Sequence, residues 1–231
     1  MQIDFNLLLT GFDLLDVVAL LVFWVLWLST TWRIERTSSK RPSVHVLMTR
    51  HRHRWMEEMA ARDVRIFDSA ILNSIQQSTA FFGSTTLLVI GGIFAILGKP
   101  ELLLSAGEGI LPDSSLQTLQ TELLMVLAIA SFAFLKFVWS NRLFSYCAIV
   151  MASMPNDGST PEAKRTATRA AHLNTFAARS FNRGLRGIYY ALTAMAWLLG
   201  PEALIVASVV TTCVLIRREF FSRSRAALVD D

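Results

Sequence analysis

Three stretches of this chain run longer without charge than a water-soluble fold has use for. Ser69 to Gly98 is 30 residues free of Asp, Glu, Lys and Arg, Val17 to Trp32 is another 16, and from Gly187 to Ile216 only Glu202 interrupts. A helix needs about 20 mostly apolar residues to cross a hydrocarbon core roughly 30 Å thick. Composition points the same way. Of the 231 residues, 53% are hydrophobic and 17% charged, against about 25% charge in an ordinary soluble domain, and mean hydropathy is +0.44. These features exclude a soluble enzyme, a disordered chain and a disulfide-stapled secreted domain. They predict an all-α, polytopic helical membrane bundle in which 1–231 form a single integral domain.

The leader before the first apolar run carries Asp4, Asp13 and Asp16 and no Lys or Arg. A cleavable signal needs basic residues there, so the first span is expected to stay uncleaved. Charge placement then orients the chain. Nine Lys/Arg fall in 33–68 and seven in 142–186, whereas 99–122 holds Lys99 alone against Glu101, Glu108, Asp113 and Glu122. Basic flanks stay cytoplasmic, which puts the N-terminus outside and the segments 33–69 and 142–180 inside. The tail decides the span count. Arg217, Arg218, Arg223 and Arg225 reach the inside only if the last apolar stretch crosses twice. At its centre, Gly200 suits a helix end, Pro201 a first helical position and Glu202 a first turn. The expected spans are about 12–32, 70–98, 119–141, 181–199 and 202–218, five in all with the C-terminus cytoplasmic; the alternative is four, with one long helix kinked at Pro201.

A cytoplasmic layer of amphipathic helices is expected beside the spans. Trp55, Met56, Met59, Ile66 and Phe67 form an apolar stripe at helical spacing, with no Pro or Gly between Pro42 and Gly83. Leu143 to Met154 continues the third span inward. Asn156 to Pro161 reads as a flexible loop, and the Ala-rich 162–178 as a further helix capped by Ser159 or Thr160.

Four groups of polar residues are candidates for function. Asp13 and Asp16 share a helix face at the outer edge of span one; they suit a cation or proton, or simply an acidic end that keeps the N-terminus out. Span two carries Asn73, Gln77 and Ser84. Lipid does not solvate amides, so this face must meet another helix or line a hydrated path; packing, helped by Gly83, Gly91 and Gly92, is the better-supported reading. Lys136 lies in the inner third of span three, where it is either functional or snorkels to the interface. Asn182, Arg183 and Arg186 stand at the inner end of span four, with Tyr190 on the same face as the two arginines. They suit an anion or lipid phosphate, or serve as a positive-inside anchor with a Tyr belt.

His51 and His53 sit among Arg50, Arg52 and Arg54, which would repel a metal ion, so no metal site is expected. Cys147 and Cys213 imply no disulfide. No phosphate-binding loop, metalloprotease or nucleophile motif occurs, and no cofactor is expected. The basic run Arg50–Arg65 lies beside a span, where anionic headgroups are a nearer partner than nucleic acid.

Asn182-Arg183-Gly184-Leu185-Arg186-Gly187-Ile188-Tyr189-Tyr190, with Trp197, Asn73-Ser74-Ile75 leading to Ser78-Thr79 and Phe81, and the closing Arg217-Arg218-Glu219-Phe220, resembles the bacterial members of the family called domain of unknown function 599. The resemblance covers most of the chain and implies a multi-span protein of the bacterial inner (cytoplasmic) membrane. It brings no activity or catalytic residues. The functional expectation is a non-enzymatic membrane protein that acts through lipid or protein contacts as an accessory or structural component. The alternative is a homo-oligomeric channel or small-solute transporter lined by span two. Expected partners are anionic membrane lipids and either further copies of the chain or another membrane protein.

Overall fold

The structure, a computed structural model, describes residues 13–37, 40–107 and 115–229; Asp4, Glu108 and Asp113 lie outside them. Every regular element among the described residues is helical: α1 (Leu14–Glu35), α2 (Val44–Ala60), α3 (Ile66–Leu97), the short α4 (Pro100–Ala106), α5 (Leu116–Ala152), α6 (Pro161–Ala194), a 3-10 turn (Met195–Leu199), α7 (Pro201–Phe220) and the short α8 (Arg223–Val229). Three of them, α1, α3 and α5, are long and apolar enough to cross a membrane.

Helix starts follow capping chemistry. Ser43, Ser115 and Thr160 each accept a hydrogen bond from the backbone N–H three residues on, at 3.2, 3.1 and 3.2 Å, and so begin α2, α5 and α6. Pro161 then occupies the first helical position of α6, where its missing N–H costs nothing. One unbroken α6 carries both the expected amphipathic segment and the start of the expected fourth span, because no proline interrupts 162–194.

α5 is the central post. α3 packs on it through a stripe of Leu72, Thr79, Gly83, Thr86, Ile90 and Ile93, all buried, with Gln76 Nε2 donating to Ser145 Oγ at 3.1 Å. α6 packs on the other side of α5, where a Cβ on Gly184 would stand 2.7 Å from Phe137 Cε1 and one on Gly187 2.9 Å from Ala133 Cβ. These two glycines let the backbones approach. Gly91 and Gly92, expected to do the same for span two, have nothing within 4 Å of an added Cβ, since they lie on the side of α3 turned away from Ile90 and Ile93. Gly184→Ala should therefore cost about 1–3 kcal/mol, because the Phe137 ring is 1% exposed and has nowhere to go. Gly91→Ala should be neutral or stabilise by up to about 1 kcal/mol through helix propensity. Thermal midpoints of the two variants in mild detergent check this; equal midpoints would contradict the packing.

At Gly200, φ is +110° and the chain reverses. Tyr190 Oη lies 2.9 Å from Thr212 Oγ1, and Thr193 Oγ1 2.7 Å from Thr211 Oγ1. Numbers that rise on α6 while falling on α7 mark an antiparallel pair, so the single kinked helix is not observed.

A second apolar core lies at the other end of the bundle, where Met56, Met59, Phe144, Cys147, Ala163 and Ala170 join α2, α5 and α6. It contains Met56 and Met59 of the expected stripe, with Trp55 packed against it, whereas Ile66 and Phe67 are exposed, and two further differences follow. First, α2 and α3 are separate helices broken at 61–65. There, buried Asp68 accepts from Trp55 Nε1 at 2.7 Å and from Arg62 Nη1 at 2.6 Å, and Arg65 donates to the carbonyls of Ala60, Met154 and Pro155. Second, the segment 156–160, expected to be flexible, is a fastened corner. Asp157 Oδ1 accepts from the Ser159 N–H at 2.9 Å, and a Cβ on Gly158 would lie 2.0 Å from the Ala60 carbonyl oxygen.

Candidate functional site

The last turn of α1 ends on Glu35, and the start of α2 is tied to it by Ser43 Oγ donating to the Ile34 carbonyl at 2.7 Å. This puts Glu35 against the middle of α6. Arg183 donates to it through both Nε, at 2.9 Å to Oε1, and Nη2, at 2.5 Å to Oε2. Arg186 Nη2 donates to Oε1 as well. The two arginines expected to share a helix face do so, and the anion they hold is the chain's own carboxylate. The Glu35 side chain is 12% exposed and that of Arg186 5%, against 40% for Arg183, so the inner pair is the one shielded from water.

Asn182 takes no part in that contact. Its Nδ2 lies 2.9 Å from His45 Nδ1 on α2, and the His45 backbone N–H donates to Glu219 Oε2 on α7 at 3.2 Å. Burial, then Arg186 and Arg52, hold the His45 imidazole well below its ordinary range, at about 4. It is therefore neutral at pH 7, which lets Nδ1 accept from the amide. Through Glu35, Arg183, Arg186, Asn182, His45 and Glu219, one polar network fastens the ends of α1, α2 and α7 to the body of α6.

Lys136 stands at this level of α5, since Ser180 Oγ donates to its carbonyl at 2.9 Å. Its Nζ lies 5.2 Å from the Phe132 ring centroid, and among the described residues no carboxylate lies within ion-pair reach of it. Between α1 and α5 a groove of about 370 Å³ leads away from Lys136, Arg183 and Arg186 along Thr31, Trp27, Trp24, Ile129 and Met125. Trp24, Leu28 and Phe132 on its rim are exposed, so it opens sideways. It is an apolar slot with a cationic end.

A family profile described as "Protein of unknown function, DUF599" matches residues 18–224. The chain belongs to that family. No curated protein and no solved structure matches it.

The other polar residues of this DUF599 protein lie elsewhere. Asp16 Oδ2 accepts from the Asp13 backbone N–H at 3.0 Å, closing the first turn of α1, and its Oδ1 accepts from Trp197 Nε1 at 2.8 Å. Asp16 thus joins α1 to the turn after α6. Glu122, counted with the outer loop by its position in the sequence, is buried in α5. Asn73, Gln77 and Ser84 are all exposed on α3; Asn73 borders a cavity of about 280 Å³ between α3 and α5. Tyr190, expected in a headgroup belt, is fully buried, stacked on Trp27 at 5.3 Å, with Thr30 Oγ1 3.4 Å from its hydroxyl. Sequence reasoning missed Glu35, His45 and Glu219. The signal for Glu35 was faint: it is one acid in a segment read only for its nine basic residues.

Proposed function

We propose that this DUF599 protein spans the bacterial inner membrane five times, with its N-terminus outside and its C-terminus in the cytoplasm. In this reading it acts without catalysis, through contacts with anionic lipid and with neighbouring proteins. The observation that carries the lipid contact is the groove between α1 and α5, apolar along its length and cationic at the end where Lys136, Arg183 and Arg186 meet. An acyl chain suits the first part and an anionic headgroup the second. The antiparallel α6–α7 pair supports five spans, because it returns Arg217 and Arg218 to the level of Tyr189, whose hydroxyl accepts from Arg218 at 2.6 Å. Both halves are short, and arginines at their ends extend them by reaching to headgroups.

The test uses Lys136, because Arg183 and Arg186 already serve Glu35 and their loss would disturb the fold. Lys136→Gln should retain several-fold less phosphatidylglycerol than wild type after purification in mild detergent, with phosphatidylethanolamine unchanged. A fluorescent protein fused after Asp231 should glow, as it does only in the cytoplasm. Equal lipid retention would overturn the contact, and a dark fusion the topology, independently of each other.

The exposure of Asn73, Gln77 and Ser84 favours one second reading, an assembly of several chains through α3. The amides then find partners in the neighbouring copy, and only such an assembly could enclose a channel lined by span two. A single-chain mass in detergent would remove this reading.

A further inference from the structure

A second cavity, of about 290 Å³, lies between α2, α3, α5 and α6. It shares no lining residue with the groove, and its wall sets several polar side chains among the apolar Ile75, Phe144, Ala178 and Phe181. Arg52 enters from α2, Ser78 and Thr79 from α3, and Asn174 and Asn182 from α6, with Phe181 closing one side. Two of these groups are incomplete. Arg52 Nη1 is buried and has no hydrogen-bond partner, and among the described residues no carboxylate pairs with Arg52. Asn174 is 1% exposed, and its Nδ2 has no oxygen or nitrogen partner, the weakly accepting Cys147 thiol being the group beside its side chain.

Both facts are costly in isolation. A buried amide N–H without an acceptor forfeits its hydration. A guanidinium does not shed its proton, so burial leaves it charged and in need of a counter-ion. The nearby carboxylates are committed: Glu35 to Arg183 and Arg186, and Glu219 to the His45 N–H. Arg179, whose buried Nε also has no partner, adds a further positive charge close enough to act on His45. The cavity therefore offers donors and positive charge with no negative group to meet them. Its size lies near the lower bound of roughly 300–1,000 Å³ for small-molecule sites.

We propose that this cavity is an oxyanion site in which Arg52 and the Asn174 amide bind one phosphoryl group, with Asn182 and the Ser78 hydroxyl at its edge. The fork of guanidinium donors matches a tetrahedral oxyanion in a way a point charge does not. The phosphoryl group comes either from a free phosphate or from a lipid headgroup whose tail lies outside the cavity.

The test uses the full chain in mild detergent at constant ionic strength, with thermal midpoint and calorimetric titration as readouts. The probes are inorganic phosphate, dihexanoyl phosphatidic acid and sodium chloride. A ligand that binds only the folded protein raises the midpoint by an amount that grows with the logarithm of its concentration over its Kd. Wild type and Arg50→Gln, an exposed arginine on the same helix, should bind one of the two phosphoryl probes with equal affinity. Arg52→Gln and Asn174→Ala should bind it at least tenfold more weakly. Binding of inorganic phosphate identifies a free oxyanion as the source, and binding of the phosphatidic acid alone a headgroup. Arg52→Lys keeps the charge and guards against a variant that fails to fold; it too should lose at least tenfold. The proposal is overturned if neither probe outdoes chloride on wild type, or if Arg52→Lys binds as tightly as wild type.

Discussion

Glu35→Gln should destabilise the protein by about 3–5 kcal/mol, the cost of removing one partner from a buried ion pair. Among the described residues, Glu35 is the only carboxylate that accepts a hydrogen bond from Arg186, whose side chain is 5% exposed. With the charge gone, Arg186 keeps its own in a site where Nε already has no partner. Arg183 suffers less, because at 40% exposure water can replace part of what it loses. Arg183→Gln is accordingly expected to cost about 1 kcal/mol, in the range of exposed pairs. The double variant Glu35→Leu/Arg186→Met should recover most of the loss, since an apolar pair of similar volume is often as stable as the ion pair it replaces. Thermal unfolding of the four proteins in one detergent decides the matter. A Glu35→Gln midpoint close to that of wild type, or a double variant no better than the single, would show that the network is not what holds these helices together.

That expectation also bears on what α6 is for. Specific anion recognition and positive-inside anchoring were the two readings of Asn182, Arg183 and Arg186 in the sequence. The geometry gives these residues a third occupation, joining the ends of α1, α2 and α7 to the body of α6. Glycines explain the rest of the motif. Gly184 and Gly187 admit Phe137 and Ala133 of α5 on one side of α6, while Arg186 and Tyr190 face α1 on the other. A helix that must touch two neighbours closely has small residues on one face and long donors on the next.

The legibility of the fold follows from which forces have a sequence period. Apolar runs and helix caps are local, so the helical class, the apolar α1, α3 and α5, a cap at Ser159 or Thr160 and the break at Gly200 could be read directly. The charge cluster could not, because its members lie at 35, 45, 182, 183, 186 and 219 and only the packing of four helices brings them together. Span two shows the opposite case. Its polar residues were visible, but which side of α3 they occupy depends on where α5 lies. The stripe that meets α5 carries Thr79 and Gly83, while Asn73, Gln77 and Ser84 are exposed. The corner at 156–160 was misjudged for a related reason. Gly and Pro signal a turn, but the Ala60 carbonyl against which Gly158 is seated belongs to a residue nearly 100 positions earlier.

The buried imidazole gives the network a pH dependence with a definite sign. His45 has its folded-state value at about 4, below an ordinary 6.5, through burial first and the positive Arg186 and Arg52 next, with Arg179 adding to them and Glu35 opposing. Folding therefore favours the neutral ring. Above pH 6.5 the ring is neutral in both states and its contribution to stability is fully present. As the pH falls from 6.5 toward 4, the unfolded chain takes up a proton that the folded one refuses, and stability is lost, to an extent of about 3 kcal/mol by pH 4. Glu35 and Glu219 also face this ring, and both respond to acid. The comparison must therefore be made within one background. His45→Gln keeps an amide oxygen for Asn182 and removes the titration. Its midpoint should fall less than that of wild type between pH 7 and pH 4.5, by several degrees at the roughly 2–4 °C per kcal/mol of a chain this size. The slopes, rather than the midpoints at pH 7, carry the result, because the substitution itself alters packing at a residue that is 5% exposed. Parallel slopes would mean that the folded protein accepts the proton as readily as water does, and that Asn182 is not held by a neutral His45.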